Sequence, residues 1–311
     1  MLKQTSGVAG TSITPAPNGR PRFSPSLAFK LALLAVAPFV LLSTVLLLAV
    51  TYQFESLSEM TIGNQEMAIA SPVVQGIDAA VTNARESLVA VANRLSKLPV
   101  FDEPSLRRAL EQEDQLPFLF SEGLLVTDPN HQVIASIGLV REKREQQPEY
   151  SFPPIAPNSI VSPPFEALSS PGHPAIAQTV PIPGTDQIRG YLSGASDLFG
   201  PRYLGPYRST RFGESGYFSL TTPDRILILH KDPQRVLKWG GPPGLNRAID
   251  RGLQGWEGWM NTKTALGPMI TAIRKVPSTG WVLSVHYPKN VAQSPFLTAR
   301  RDLLIAVAFG A

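Results

Sequence analysis

Leu31 to Val50 is a run of twenty residues without a charge, in which only Pro38, Ser43 and Thr44 interrupt the apolar sequence. At 1.5 Å per helical residue such a run reaches about 30 Å, the thickness of a bilayer core, and it predicts a transmembrane helix over 27–52. A cleaved signal peptide is the alternative. Its apolar region is shorter, about 7 to 15 residues, and is followed by a small-residue cleavage site that is not clear here. Residues 1–26, rich in Pro, Ser, Thr and Gly, have too few apolar side chains to pack and read as a disordered cytoplasmic tail. At the other end Leu303 to Ala311 is apolar or glycine throughout, about 13 Å of helix, and 299–311 reads as the start of a truncated second transmembrane helix. An interfacial or buried helix is the alternative there.

Between these ends, Ile69, Val73, Ile77, Ala80, Ala84, Leu88, Val91, Leu95 and Leu98 recur at steps of three and four, the pattern of one helical stripe facing a core. Pro72 and Gly76 are placed to kink this helix near its base and Pro99 to end it. A short helix follows, with Asp102 as N-cap, Pro104 in the first turn, and Leu106 and Leu110 inward. From Gly123 the period changes toward two. Gly123 to Thr127 and Gln132 to Ser136 predict a hairpin about Asp128-Pro129-Asn130-His131. Arg141 to Pro164 has no clear period, six prolines, and Tyr150 and Phe152 as anchors. Ala175 to Ile182 and Ile188 to Ser196 are the next strands.

The second half repeats the plan. Gly216 to Leu220 and Ile226 to His230 predict another hairpin, Leu245 to Leu253 a helix, and Trp256 to Thr262, Met269 to Lys275 and Trp281 to Tyr287 three strands. The short connections make both sheets antiparallel, so the fold class is α+β, with two tandem units on one long helix.

Charge sharpens this organisation. The 28 Lys and Arg exceed the 24 Asp and Glu by four. Lys3, Arg20, Arg22 and Lys30, with no acid before Glu55, account for that excess. By the positive-inside rule the N-terminus is cytoplasmic and the 53–298 body exported. The body is near neutral, which excludes a basic face for nucleic acid. Zero cysteines exclude disulfides and thiolate chemistry.

Gly213-Glu214-Ser215-Gly216-Tyr217-Phe218, Ile228-Leu229-His230-Lys231-Asp232-Pro233 and Thr279-Gly280-Trp281-Val282-Leu283 resemble the membrane-proximal half of a double Cache sensor domain. Gly123 to Asp128, Ser162-Pro163-Pro164 and Gly190 to Leu198 resemble its membrane-distal half. The resemblance implies two PAS-like subdomains, distal at about 100–200 and proximal at about 208–290, on one long helix. It further implies a homodimer through that helix and a periplasmic small-molecule pocket in the distal half, with the inner-membrane bilayer as the other partner. Relatives of this kind carry a diguanylate cyclase, histidine kinase or chemotaxis output domain, none of which is in these residues. In amino-acid-binding Cache domains a tyrosine, an Arg-x-Trp-Tyr run and an aspartate hold the ligand. Asp197 sits where that aspartate would be, whereas the run is missing between Arg141 and Pro164.

Strand alternation places Arg189, Tyr191, Ser193, Ala195 and Asp197 on one face of the last distal strand, an aromatic ring, a hydroxyl and a carboxylate together. Tyr191, Ser193, Asp197 and Tyr150 are the candidate ligand-binding residues, against the alternative of a solvated strand face. No catalytic constellation, cofactor or metal site is expected. His131, His173, His230 and His286 have no ligand spacing, and Gly240 to Gly244 contains two prolines where a phosphate loop needs amides. Trp256, Trp259 and Trp281 read as core and rim of the second sheet. The reading is a membrane-anchored, non-enzymatic sensing domain. The alternative from another class is a periplasmic interaction module with an empty pocket.

Overall fold

The computed structural model describes residues 27–210, 212, 215–264, 267–292 and 301. The expected tail over 1–26 and the expected second membrane helix over 299–311 lie outside the described residues, Arg301 excepted. The chain divides into two compact units, Met1–Gln53 and Phe54–Ala311. Helix α1, Leu27–Leu95, carries the boundary between them. In the first unit the side chains of Leu31, Leu34, Leu41, Leu42, Val45 and Leu46 are exposed. Among the described residues no helix is long and apolar enough to cross a membrane. Ten of the twenty side chains from Leu31 to Val50 are among those described.

In the second unit α1 faces a continuous core through Ala70, Val73, Val74, Ile77, Val81, Ala84, Leu88, Val91, Ala92 and Leu95. The stripe is centred slightly off the expected line. Ile69, Ala80 and Leu98 are only partly buried, and the helix stops at Leu95, four residues before Pro99. Pro72 lies within the helix without interrupting it. Burying each of the large aliphatic side chains here contributes up to about 1.5–3 kcal/mol.

Helix α2, Glu103–Glu111, is capped as its sequence predicts. Asp102 accepts a hydrogen bond from the Ser105 amide, and Leu106 and Leu110 are buried. A single turn, α3, Leu116–Leu119, follows. The distal sheet then forms from β1 Gly123–Thr127, β2 Val133–Ile137, β3 Phe165–Glu166, β4 Pro174–Pro183 and β5 Ile188–Asp197, in the order β2-β1-β5-β4-β3. In the β1–β2 turn Asp128 Oδ1 accepts from the amides of Asn130 and Gln132, while His131 takes a left-handed φ of 64°.

After the turn α5, Gly205–Arg208, the proximal sheet repeats the order as β7-β6-β10-β9-β8. Its strands are β6 Tyr217–Thr221, β7 Leu227–Leu229, β8 Gly258–Thr264, β9 Gly267–Lys275 and β10 Val282–Pro288. Every strand pair is antiparallel. Each first hairpin thus lies beside the last strand of its own sheet. The α+β class and the tandem plan stand. Two pieces differ from expectation. Helix α4, Leu139–Gln146, occupies the start of the segment without period, and β3 adds a short edge strand. Helix Arg247–Leu253, α6, is capped by Asn246, which accepts from the Ala248 and Ile249 amides.

Candidate functional site

Strand β5 lies in the middle of the distal sheet. Register places Tyr191 between Thr127 and Pro181, Ser193 between Leu125 and Thr179, and Ala195 between Gly123 and Ala177. Leu192, on the opposite face, joins the α1 core. Leu125, Ala177 and Ala195 form the buried floor of the outer face. Val140 and Phe152 are buried against it, with Val133, Tyr150, Phe165 and Leu168 around them. The segment without period is therefore the cover over this face. Ser162 ties it to β4, its amide donating to the Ala177 carbonyl and its hydroxyl accepting from the Ala177 amide, and just beyond it the buried Glu122 carboxylate accepts from the amides of Leu168 and Ser169 and from Ser169 Oγ.

Of the four candidate residues, Tyr191 is half-buried and stacks on the His131 ring at 5.0 Å. The Ser193 hydroxyl shares a hydrogen bond of 2.7 Å with Thr179 Oγ1. Asp197 Oδ2 lies 2.8 Å from His173 Nδ1, and its Oδ1 accepts from the Phe199 amide at 2.7 Å. Tyr150 meets Phe152 edge-on at 6.4 Å. Burial, and then the nearby Glu122 carboxylate, hold its hydroxyl above the ordinary tyrosine pKa. Tyr191 and Ser193 thus share one sheet face, and Tyr150 lies in the cover over it. Arg189 leaves that set, because its guanidinium donates to the Ser96 and Leu98 carbonyls just past α1 and lies 4.5 Å above the Phe101 ring. A cation at the negative end of a helix is favourable electrostatically.

The proximal sheet carries a polar chain that the sequence reading missed. Register pairs His286 with Thr271 and with Tyr217. His286 is buried, with Nε2 2.9 Å from Ser219 Oγ and Nδ1 3.1 Å from Thr271 Oγ1, which in turn lies 2.7 Å from Thr262 Oγ1. The Tyr217 ring stacks on the imidazole at 4.7 Å. Burial, and then the His230 ring beside it, push the His286 pKa down to about 3, so the imidazole is neutral. Ser284 Oγ and Thr221 Oγ1 are buried without a hydrogen-bond partner among the described residues. His230 and Asp232 close the hairpin end, the Asp232 amide donating to His230 Nδ1 at 3.0 Å. The signal for this chain was strand alternation, which puts Ser284 and His286 opposite Leu283 and Val285.

Glu66 was also missed. It lies in line with Ala70, Val73 and Ile77 on the buried stripe of α1 and is almost fully buried. Among the described residues its carboxyl oxygens have no hydrogen-bond partner of normal geometry. Burial pushes its pKa up to about 9, offset only in part by the Ala272 backbone, so the group is a neutral acid at pH 7. Trp281 is fully buried, and Trp259 lies against Gly63 of α1.

No protein-family model matches the chain, and no curated protein matches it in sequence. Solved structures share its fold. The ligand-binding domain of the Pseudomonas aeruginosa PAO1 amino-acid chemoreceptor PctC, solved with GABA, is 17% identical with a TM-score of 0.54, over 73% of this chain and 100% of that one. The ligand-binding domain of the Pseudomonas fluorescens chemoreceptor CtaA, with L-serine, is 14% identical at 0.53, over 74% and 99%. That of Mlp24, with asparagine, is 15% identical at 0.56, over 77% and 97%. Two five-stranded antiparallel sheets in matching order, with the long helix of the second unit, therefore make this chain a protein with the double Cache sensor fold.

Proposed function

We propose that the chain is the input part of a membrane-bound signalling protein, which senses a small molecule outside the inner membrane and hands the event to an output domain. The observation that carries this reading is the outer face of the distal sheet. There Tyr191 and Ser193 share the sheet face whose Leu125, Ala177 and Ala195 are packed under Val140 and Phe152, in a fold matched along almost the whole length of three solved ligand-binding domains. Asp197 sits at the edge of the same strand. A ligand that prefers one arrangement of the cover over another supplies the free-energy difference a signal requires. The ligands printed for those three domains make amino acids and GABA the first class to test. The uncharged Leu31 to Val50 run and its exposed side chains support a membrane span, and Leu57, Met60 and Val89, exposed on α1, support a homodimer along that helix. A diguanylate cyclase, a histidine kinase or a chemotaxis module are the output domains that suit this input.

The full chain in mild detergent, titrated with a panel of amino acids and GABA, tests the reading. A ligand at 100 times its dissociation constant stabilises the fold by ~2.7 kcal/mol, a rise in melting temperature of roughly 5 to 11 °C. The rise should vanish in Tyr191→Ala. A panel that moves nothing, or a shift untouched by that substitution, overturns the assignment. A periplasm-only reporter enzyme fused after Ser151 should be active and one fused after Arg22 silent.

One observation favours the second reading, an interaction module without a ligand. The polar groups of the distal wall already have protein partners, Ser193 with Thr179 and Asp197 with His173, and Phe152 of the cover is packed on the floor of Leu125, Ala177 and Ala195. Under that reading the whole panel leaves the melting temperature unchanged.

A further inference from the structure

Beside the proximal sheet lies a cavity of about 570 Å³ whose lining includes Arg208, Ser209, Thr210, Ser215, Tyr217 and Lys231. We propose that it is a second ligand site, separate from the distal wall, and that it takes a small carboxylate anion. The volume falls in the range of small-molecule sites. Its lining combines two cations with four hydroxyl-bearing side chains.

The charges are unbalanced. Among the described residues neither cation forms an ion pair with a carboxylate. The Arg208 guanidinium lies 4.7 Å above the Phe199 ring, with one nitrogen 3.2 Å from His173 Nε2. Lys231 Nζ sits 5.6 Å from the centre of the Tyr217 ring. Arg235 adds positive potential from behind, with Nη1 3.5 Å from His230 Nε2. The acid close by is Asp232, whose Oδ1 already accepts from the Gln234 amide. Glu214 lies outside the described residues. Both aromatic contacts leave donors of the two cations free, and a guanidinium presents a planar fork that matches a carboxylate. Tyr217 forms one wall, and its ring is held by the stack on His286, itself fixed by Ser219 and Thr271. The polar chain of the proximal sheet thus acts as the support behind one wall of the cavity.

Arg208 also connects the cavity to the distal half. A guanidinium only donates, so His173 Nε2 accepts from it and Nδ1 carries the hydrogen that points at Asp197. An anion that draws Arg208 toward the cavity loosens this hold on the end of β5.

The test uses the full chain in mild detergent with succinate as probe, inorganic phosphate as the competing anion and sodium chloride at equal ionic strength as the blank. Succinate should raise the melting temperature, and Lys231→Gln should weaken its apparent affinity about tenfold or more, as expected for the loss of one charge-assisted hydrogen bond. Tyr191→Ala should leave the succinate response intact, which separates this site from the distal one. Arg208→Lys, which keeps the charge and loses the fork, should fall between the parent and Arg208→Gln. Absence of a succinate shift, a shift matched by chloride, a response to phosphate alone, or a response unchanged in Lys231→Gln would each overturn the proposal.

Discussion

The His173 ring stands between two charges, with Nδ1 2.8 Å from Asp197 Oδ2 and Nε2 3.2 Å from a guanidinium nitrogen of Arg208. Asp197 was singled out as a ligand contact, and both of its oxygens are engaged within the protein. Its side chain is 11% exposed and that of His173 24%, so the pair is shielded enough to matter to stability.

Asp197→Ala should therefore lower stability by about 1–3 kcal/mol, because the His173 ring and the Phe199 amide each lose an acceptor. In a double-mutant cycle with His173→Phe, measured by urea unfolding, the two changes should couple by at least ~1 kcal/mol. Strict additivity would mean that the contact contributes nothing and that Asp197 is free to serve a ligand.

Gly63 of α1 faces the indole of Trp259 so closely that a Cβ there would stand 2.2 Å from the ring. In an exposed helix Gly→Ala gains about 1 kcal/mol. Here the ring must shift, and overpacking costs about 1–3 kcal/mol. Gly63→Ala should leave the protein no more stable, and most plainly less stable by ~1 kcal/mol, with the Trp fluorescence displaced. A clear gain in melting temperature would show that the helix does not press on the proximal sheet at this point.

The elements that sequence patterning located are those whose burial is one-sided. The α1 stripe, the capped α2, the hairpin about Asp128 and the hairpin between Leu220 and Ile226, turning through Thr222-Pro223-Asp224-Arg225, carry a period or a turn signature that survives without tertiary context. Helix α4 does not, because Leu139 to Gln146 buries a single side chain, Val140, and one residue sets no period. Its place is decided by the β1 strand end, where the Val140 amide donates to the Glu122 carbonyl. On β5 alternation puts Tyr191, Ser193 and Ala195 on one face, while Arg189 is captured by the carbonyls past α1 and Asp197 by His173. What alternation could not give was which polar groups already hold one another. The Asp197 and His173 pair joins residues 24 apart, and Glu122 reaches 46 residues ahead to Leu168. Such pairings are set by topology rather than by spacing.

Glu66 and His286 act on stability with opposite signs. In the fold His286 stays neutral until about pH 3, whereas unfolded it charges below about 6.5, so acid favours the unfolded chain. Glu66 keeps its proton in the fold up to about pH 9 but loses it above about 4.5 when unfolded, so base favours the unfolded chain. Each group contributes a slope of at most ~1.4 kcal/mol per pH unit. Between about pH 4.5 and 6.5 the two slopes cancel. Above that window the Glu66 slope acts alone and stability should fall toward pH 9; below it the His286 slope acts alone and stability should fall toward pH 3. Glu66→Gln should remove the alkaline decline and be more stable than the parent by about 2–3 kcal/mol at pH 7, with little difference at pH 4.5. His286→Gln should flatten the acid limb without touching the alkaline one. Urea unfolding of the parent and both variants at half-unit steps from pH 3 to 9 measures all of this. A parent curve that rises from pH 6.5 to 9, or a Glu66→Gln variant that tracks the parent across that range, would show that the Glu66 carboxyl is ionised inside the fold.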